Sequence, residues 1–319
     1  VGDSNIFKNF ILNLDKVTKT QGRILLTGES GSGKEMAARY IHANSERASK
    51  PFISVNCASI APDRMEDVLF GRDAGNSLPT DGLLSQADGG VIYFDEIADM
   101  PLVTQSKILR VLVDQKFQRV NGKSEVKVDL RVISSTSQDL REAIKQKSFR
   151  EELYHRLNVV PINVPSLSQR LEDIPLLFDH FAKNFHETQG LNLRDLSIEA
   201  STMLQTMSWP GNIRQLKNIV ERVLILGDGH GEVSIEDLPS DTKSGDDNVN
   251  GVASGTIATM PLREAREAFE REYLITQINR FNGNISKTAK FVGMERSALH
   301  RKLKSLGVVS MSKIQKEDN

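Results

Sequence analysis

The feature that most constrains the fold is "GESGSGK", from Gly28 to Lys34, because the segment before it favours a strand and the segment after it favours a helix. The run "GRILLTG" before it indicates a short buried strand, and "KEMAARYIHANS" after it has helical spacing. Gly, four residues, Gly and Lys is the spacing of a phosphate-binding loop, whose backbone N–H groups converge on phosphate oxygens. A glycine-rich turn alone is often only a turn, but the flanking strand and helix favour phosphate binding here.

The predicted ligand of this loop is ATP, with Lys34 placed to reach the terminal phosphates. We expect it to be held by the consecutive residues Gly28, Glu29, Ser30, Gly31, Ser32, Gly33, Lys34 and Glu35. Position 35 departs from the general motif, because Glu stands where a Ser or Thr usually contacts Mg²⁺.

Further strands follow the loop in alternation with helical stretches. The runs "PFISVNC", "GGVIYFDEI" and "VDLRVISSTS" are short and rich in β-branched and aromatic residues. Strands separated by helices require crossover connections, so we predict an α/β fold with a mainly parallel sheet covered on both faces.

The run "VIYFDEI" ends a predicted buried strand with two acidic residues, Asp95 and Glu96. Burying two carboxylates is costly unless they have a function. Asp95 is expected to hold Mg²⁺, directly or through water, and Glu96 to polarise the water that attacks the γ-phosphate. Capping of the following turn is the structural alternative, but it explains one carboxylate and hardly two.

Composition places the chain among globular proteins, with 39% hydrophobic and 26% charged residues over 319 positions. The single Cys57 excludes an intramolecular disulfide and suits a reducing cytoplasm, and no apolar run is long enough to span a membrane. We therefore predict a cytoplasmic protein without a membrane partner. The chain starts at Val1 rather than Met, so we expect further sequence upstream.

A polar stretch from Pro239 to Thr256, rich in Ser, Gly, Asp and Asn, predicts a linker because it cannot bury enough surface to order itself. Short β-like runs give way to helical periodicity near Pro165, which predicts a second boundary. The expected organisation is an α/β nucleotide-binding part over 1–165, a helical part over 166–238, a flexible linker over 239–258, a DNA-binding domain over 259–309 and a disordered tail over 310–319.

The C-terminal part is basic and has helix-turn-helix spacing. Between Asn282 and Val309 there are six Lys and Arg residues against Glu295 alone. A helix from about Ser286, a turn at Gly293 and a second helix predict insertion into the major groove of double-stranded DNA. The candidate contacts are Arg296, Ser297, His300, Arg301, Lys302 and Lys304; a solvated helix face is the alternative.

An amphipathic helix, "PLREAREAFEREYLITQINRFNG", precedes these two helices. Its apolar stripe contains Ala265, Phe269, Tyr273 or Leu274, and Ile278. A stripe of this width suits pairing with a second copy, so we expect a dimer through the C-terminal helices.

Five motifs together carry a resemblance that covers nearly the whole chain. In order, "LLTGESGSGKE", "FISVNCASI", "ADGGVIYFDEI", "FREELYHRLNVV" and "WPGNIRQLKNIVERVLIL" resemble the AAA+ domain of NtrC-type, sigma-54-dependent transcription regulators. The resemblance implies a AAA+ P-loop ATPase with a helical lid, followed by a Fis-like helix-turn-helix domain. Glu commonly follows the phosphate-loop lysine in that family, which accounts for Glu35.

The resemblance also implies individual roles. Asn56 matches the residue that hydrogen-bonds the catalytic glutamate, and Thr136 matches the γ-phosphate sensor, with Ser137 in place of the usual neighbouring Asn. Arg150 and Arg156 match the arginine fingers that reach a neighbouring subunit, and therefore imply a homo-oligomer, in this family a hexameric ring. Without the surrounding motif, either arginine would be read as a surface salt bridge. Arg214 matches the second nucleotide sensor.

One family element is missing. In sigma-54 activators the interval between "LFG" and "ADGG" carries a loop with the sequence Gly-Ala-Phe-Thr-Gly-Ala, whereas this chain has "GRDAGNSLPTDG" over residues 71–82. The combination looks like the NtrX branch, and implies a two-component response regulator that does not remodel sigma-54 polymerase. Its implied partners are a sensor histidine kinase, acting through a receiver domain absent from this chain, and RNA polymerase.

Two other functions remain open on the sequence. One is a sigma-54-dependent activator with a divergent loop. The other is a DNA-binding scaffold in which nucleotide only sets the oligomeric state, since the ATPase residues permit hydrolysis without requiring it.

Overall fold

Five parallel strands form the central sheet of the first of two units in this computed structural model, which describes residues 1–73, 79–227, 231–239, 261–280 and 285–306. The strands are β1 (Ile24–Thr27), β2 (Phe52–Asn56), β5 (Val91–Asp95), β8 (Arg131–Thr136) and β9 (Val160–Asn163). Their spatial order is β2-β5-β8-β1-β9, and every neighbouring pair is parallel. The predicted parallel α/β sheet is confirmed.

Helices cover both faces of this sheet, because successive residues of each buried strand point to opposite sides. One face packs against α1 (Asn5–Thr18) and α2 (Lys34–Ala43), and its strand residues include Leu26, Tyr93 and Ile133. The other packs against α3 (Met65–Phe70), α4 (Leu83–Gln86), α5 (Leu102–Asp114), α6 (Leu140–Lys145) and α7 (Glu151–Leu157), and its strand residues include Leu25, Phe94 and Val132. The first unit comprises Val1–Asp173 and Trp209–Leu216.

Two short hairpins lie beside α3 and α5 in the chain. They are β3 (Gly71–Arg72) with β4 (Thr80–Asp81), and β6 (Lys116–Gln118) with β7 (Glu125–Lys127). The hairpins are joined by hydrogen bonds from the Asp73 N–H to the Val120 carbonyl and from the Val120 N–H to the Gly71 carbonyl, each 2.9 Å long, and by an Arg119–Asp81 ion pair of 2.6 Å.

The first hairpin is the base of the segment "GRDAGNSLPTDG", which stands where the family's loop is expected. Gly71 has φ 73°, and a Cβ there would lie 2.1 Å from the Thr80 carbonyl oxygen, so a side chain cannot be accommodated. The centre of "GRDAGNSLPTDG", residues 74–78, lies outside the described residues. The pairing of Gly71 with Asp81 and of Arg72 with Thr80 holds the two ends of this segment close together.

The second unit is helical in its described part, and comprises Ile174–Ser208 with residues of Lys217–Asn319. It contains α8 (Ile174–Gln189), α9 (Ile198–Thr206) and the continuation of α10 (Asn212–Leu226), which begins in the first unit. The apolar spacing of α8 buries Leu177, Phe178 and Phe185. The predicted change to helix after Pro165 is confirmed.

The predicted helix-turn-helix consists of α12 (Ile285–Val292) and α13 (Arg296–Ser305), and α11 (Leu262–Arg280) precedes it. Leu274 of α11 is buried with Ala289, Leu299 and Leu303 in a core that these helices share. Gly293 has φ 73° in the predicted turn. Residues 240–258 of the predicted linker over 239–258, and the predicted tail over 310–319, lie outside the described residues. No described helix has the length and apolar character to cross a membrane.

The predicted apolar stripe of α11 is divided between two surroundings. Leu274 and Ile278 pack into the core of the three helices, so they are not available to a second copy. Phe269 and Tyr273 are 59% and 39% exposed, and their rings stack with centroids 6.1 Å apart. Phe269 and Tyr273 are thus the large side chains of the predicted stripe that stay exposed in the described part of α11.

Candidate nucleotide site and DNA-binding face

The segment from Gly28 to Lys34 connects β1 to α2 as a tight loop. Gly28, Gly31 and Gly33 have φ values of 153°, 76° and 104°, a region that favours glycine. At Gly28 a Cβ would meet the Val164 carbonyl oxygen at 2.7 Å. The loop therefore takes a shape that other residues would obstruct, as the motif predicts.

Two features of the loop fit a bound polyphosphate. The Ser32 hydroxyl is buried and has no hydrogen-bond partner, so a ligand oxygen would satisfy it. Gly33 caps α2 without a side-chain hydrogen bond, which leaves the start of that helix, with its positive potential, facing the loop.

Lys34 is buried within the loop. Its Nζ donates to the carbonyl oxygens of Gly28 at 2.9 Å and Glu29 at 3.2 Å, and lies 3.1 Å from Oε1 of Glu96. A buried ammonium group is tolerated only when it is paired in this way. The predicted lysine and the predicted glutamate are thus brought together from positions 62 residues apart in the sequence.

Two hydroxyl groups hold Asp95 at the end of β5. The Tyr93 hydroxyl donates to Asp95 Oδ1 at 2.8 Å, and the Ser135 hydroxyl donates to the same oxygen at 2.6 Å. Tyr93 is fully buried, and burial raises its pKa, so its hydroxyl keeps its proton and remains a donor. Sequence reasoning missed both residues, although the polar run at the end of the buried strand "RVISST" marks Ser135.

Ser137 holds Glu96 in place. Oε2 of Glu96 accepts hydrogen bonds of 2.8 Å from both the backbone N–H and the hydroxyl of Ser137. Glu96 itself has left-handed backbone angles, φ 50° and ψ 57°, at the sharp turn after β5. Both carboxylate oxygens of the predicted catalytic glutamate are therefore engaged, one by Ser137 and the other by Lys34.

The resemblance implies a hydrogen bond between Asn56 and Glu96, but in the structure Asn56 has other partners. Asn56 Oδ1 accepts from the N–H groups of Ala58 and Ser59, capping the turn after β2. Within the described residues no hydrogen bond joins Asn56 to Glu96. Thr136, the predicted γ-phosphate sensor, is buried at the end of β8, where its hydroxyl exchanges hydrogen bonds with the backbone of Gln138.

A magnesium ion fits the site only as a companion of phosphate. In the described part of the chain no group of three or more His, Cys, Asp or Glu residues could hold a metal. Mg²⁺ is commonly held by one or two carboxylates together with substrate phosphates, and Asp95 supplies one such carboxylate. Glu35 is not a second, because it pairs with Arg39 at 2.7 Å on the exposed side of α2.

The three predicted arginines lie in two places. Arg150 and Arg156 are exposed at the start and in the last turn of α7, and Arg150 Nε donates to the Leu102 carbonyl oxygen at 3.1 Å. Arg214, in the first turn of α10, has Nη1 3.3 Å from the Ser30 hydroxyl of the phosphate loop. The structure thus brings Arg214 to the nucleotide site, and leaves the other two arginines facing outward.

Five of the six predicted DNA contacts share the exposed side of α13. Arg296, Ser297, His300, Arg301 and Lys304 are exposed, at spacings that lie on one helical face. Lys302 differs, because its Nζ is 2.5 Å from Oε2 of Glu270 on α11, which also accepts from Arg266 at Oε1. That ion pair holds Lys302 against α11 and lowers the pKa of Glu270.

Family profiles match three successive parts of the chain. The Sigma-54 interaction domain matches residues 1–163, the AAA+ ATPase lid domain matches 168–254, and the bacterial regulatory protein, Fis family profile matches 265–306. The predicted fold class, a AAA+ domain with its lid and a Fis-like helix-turn-helix, is therefore confirmed. The exact domain boundaries stay predictions.

Relatives cover almost the whole chain. It is 52% identical over 312 residues to the nitrogen assimilation regulatory protein NtrX of Azorhizobium caulinodans, covering 97% of this chain and 69% of that protein. It is 37% identical to the DNA-binding transcriptional regulator NtrC of Salmonella typhimurium, over 97% of this chain and 70% of that protein. The crystal structure of NtrX from Brucella abortus in complex with ATP is similar, with a TM-score of 0.72, 52% identity and coverage of 97% of this chain and 69% of that chain.

Cys57, next to this site, provides a test of its electrostatics. Burial, followed by the negative charges of Asp95, Asp99 and Glu96, raises the pKa of the Cys57 thiol to about 12. The reactive thiolate is then scarce at pH 8, so we expect a thiol reagent to label the native protein at least about 1,000-fold more slowly than the unfolded chain.

The measurement is clean because Cys57 is the single cysteine of the sequence. Labelling in guanidinium chloride serves as the unfolded reference. Equal rates in native buffer and in denaturant would contradict the burial of this thiol beside three carboxylates.

Proposed function

The chain belongs to the sigma-54-interaction-domain transcriptional regulators of the NtrX and NtrC type, and on that premise we propose that it binds and hydrolyses ATP to control how it acts on DNA. The observation that supports this most is the meeting of Lys34, Asp95 and Glu96 at the carboxyl ends of β1 and β5. A phosphate loop, a magnesium carboxylate and a general base in one place are the parts that ATP hydrolysis needs. The NtrX structure from Brucella abortus, solved in complex with ATP, adds support from a relative.

The existing hydrogen bonds indicate how the site would change when ATP binds. Lys34 would exchange its 3.1 Å contact with Glu96 for the terminal phosphates, since one ammonium group cannot serve both fully. Glu96, still held by Ser137, would then be free at Oε1 to orient the attacking water. Asp95 keeps Oδ2 for Mg²⁺, which when bound would neutralise charge on the β- and γ-phosphates.

Hydrolysis in this proposal requires more than one subunit. Arg150 and Arg156 are exposed on α7, in keeping with arginine fingers for the site of a neighbouring copy in a ring. The guanidinium groups of these two arginines can stabilise the transferring phosphoryl group at the site of a neighbouring subunit. The proposed active form is a homo-oligomer, in the family's pattern a hexamer.

The proposed partners beyond DNA follow from the relatives. Rickettsia typhi has a relative named putative response regulator NtrX-like, 42% identical over the whole of this chain. By analogy we expect control by a sensor histidine kinase through a receiver domain, action in the cytoplasm, and contact with RNA polymerase at promoters.

We expect Lys34→Ala to abolish ATP binding, because it removes the loop's own cation. Glu96→Gln should keep binding but lower phosphate release at least about 100-fold, the usual contribution of a general base. Calorimetric titration and steady-state phosphate release measure the two effects separately. Lys16→Ala, which removes an exposed lysine from α1, is the matched control and should change neither.

Two results would change this proposal. Unaltered ATP affinity in Lys34→Ala would refute the nucleotide site. Tight ATP binding by the unmodified protein with no phosphate release, at concentrations where it forms rings, would favour the scaffold in which nucleotide only sets the oligomeric state.

DNA binding is proposed to occur as a dimer, with the exposed face of α13 in the major groove. We expect Arg301→Ala to weaken binding and to reduce the slope of log affinity against log salt by about 1, as for one lost phosphate contact. Lys302→Ala is the matched control, since it removes the same charge from the same helix where an ion pair already holds it. Gel shifts over a range of salt concentrations measure both variants.

Equal losses from the two substitutions would contradict the assignment of the face. A chain ending at Ser254 should lose specific DNA binding but keep the nucleotide site. Retention of target binding by that shortened chain would refute the helix-turn-helix as the DNA-binding element.

We further propose that this regulator does not remodel sigma-54 polymerase. The usual loop presents a phenylalanine, whereas "NSLPT" offers one leucine, and Pro79 restricts the backbone. At about 25 cal/mol per Å², this tip buries too little apolar surface to replace an aromatic ring. Hydrogen bonds and an ion pair also tie the base of this loop to the β6–β7 hairpin, in keeping with the proposal.

The expected result is that no stable complex with sigma-54 forms in the presence of an ATP transition-state analogue. A chimera in which the standard loop replaces residues 72–82 should gain sigma-54 binding, measured by native gel electrophoresis, and is the positive control. Robust sigma-54-dependent transcription by the unmodified protein would instead support an activator with a divergent loop.

A further inference from the structure

Asn212, the first residue of α10, joins that helix to the phosphate loop. Its side-chain amide donates to Glu29 Oε2 at 2.9 Å and to the Ser30 carbonyl oxygen at 3.1 Å. Its Oδ1 accepts from the Leu167 N–H at 2.7 Å, so the amide bridges three segments of the first unit. Asn212 is completely buried, and all of these partners are protein groups.

The backbone around Asn212 fits against the same loop. The Ile213 N–H donates to the Gly31 carbonyl oxygen at 3.0 Å, and a Cβ on Gly31 would lie 2.3 Å from the Gly211 carbonyl oxygen. Asn212 has φ 50°, a left-handed conformation that asparagine adopts more readily than most residues. The loop and the turn before α10 are thus built to touch at this point.

Glu29 poses an electrostatic problem that Asn212 addresses. A carboxylate in a loop that is to receive a polyanion repels the ligand, so the direction in which it is held affects phosphate binding. The buried amide nitrogen of Asn212 donates one hydrogen bond to the Glu29 carboxylate and another to the neighbouring Ser30 carbonyl oxygen. One side chain therefore sets the position of two consecutive loop residues.

We propose that Asn212 is a positioning residue for nucleotide binding: through Glu29 and Ser30 it holds the phosphate loop in the shape that accepts ATP. It acts through these residues rather than by touching the ligand. The inference rests on the proposed ATP site, and it adds a determinant of ATP affinity outside the loop itself. The contacts with Glu29 and Ser30 are called the amide brace below.

The test compares variants that separate the amide brace from the backbone around it. Asn212→Gly keeps the left-handed backbone but removes the amide, and Asn212→Asp keeps the size of the side chain but sets a carboxylate against Glu29. Each should weaken binding of a fluorescent ATP analogue at least about tenfold, equivalent to about 1.4 kcal/mol. Gln215→Ala is the matched control, because Gln215 accepts a hydrogen bond of 3.0 Å from the Gly211 N–H rather than from a residue of the phosphate loop.

A rescue experiment distinguishes positioning from general destabilisation. In the double variant Glu29→Gln with Asn212→Asp, the new Gln amide can donate to the new Asp carboxylate, which reverses the direction of the lost hydrogen bond. We expect it to regain at least about threefold in affinity over Asn212→Asp alone, as one neutral-to-charged hydrogen bond permits. Gln215→Ala should lower the melting temperature while leaving affinity within about twofold of the unmodified protein.

The outcomes separate the inference from the function on which it rests. If the unmodified protein does not bind the analogue, or if Lys34→Ala binds as well as it does, the ATP site itself fails. If those two behave as expected but both Asn212 variants bind normally, the amide brace is packing only and the inference is overturned. Weakened binding in step with lowered melting temperature, including in Gln215→Ala and without rescue in the double variant, also overturns it.

Discussion

The ion pair between Lys34 and Glu96 connects the separate segments that form the candidate nucleotide site. A buried ammonium group and a carboxylate 3.1 Å apart are stable only if both are held precisely, because their desolvation is costly. Lys34 is held by the carbonyl groups of Gly28 and Glu29, and Glu96 is held by Ser137. The pair thus connects the loop after β1 with the turns after β5 and β8.

The order of the strands makes these connections possible. Because β8 lies between β5 and β1, its carboxyl end supplies polar groups to both neighbours. Ser135 supports Asp95, and Ser137 supports Glu96. These hydrogen bonds give Asp95 and Glu96 protein partners, which compensate for the loss of water. The result is a site whose acidic groups are oriented before any ligand enters.

Nucleotide and DNA are proposed to engage separate parts of the chain, each with its own apolar core. Strand residues of the sheet pack between two layers of helices, whereas Leu274, Leu299 and Leu303 form a small core among α11, α12 and α13. The basic face of α13 and the rings of Phe269 and Tyr273 stay outside that small core. The segment from Gly71 to Gly82 is anchored at its base by hydrogen bonds and an ion pair to the β6–β7 hairpin.

The sequence by itself determined the features that depend on neighbours in the chain: the loop from Gly28 to Lys34, the acidic pair at Asp95, the strand and helix alternation, and the helix-turn-helix around Gly293. Periodicity, glycine spacing and turn-forming residues are local properties, so they can be recognised from the sequence alone. The choice of partners was decided only by the tertiary structure. Ser137 rather than Asn56 bonds Glu96, Lys302 turns to Glu270, and Asn212 reaches Glu29 across 183 positions. These pairings follow from which strand ends and helix starts lie side by side, and strand order and register carry that information while residue identity alone does not.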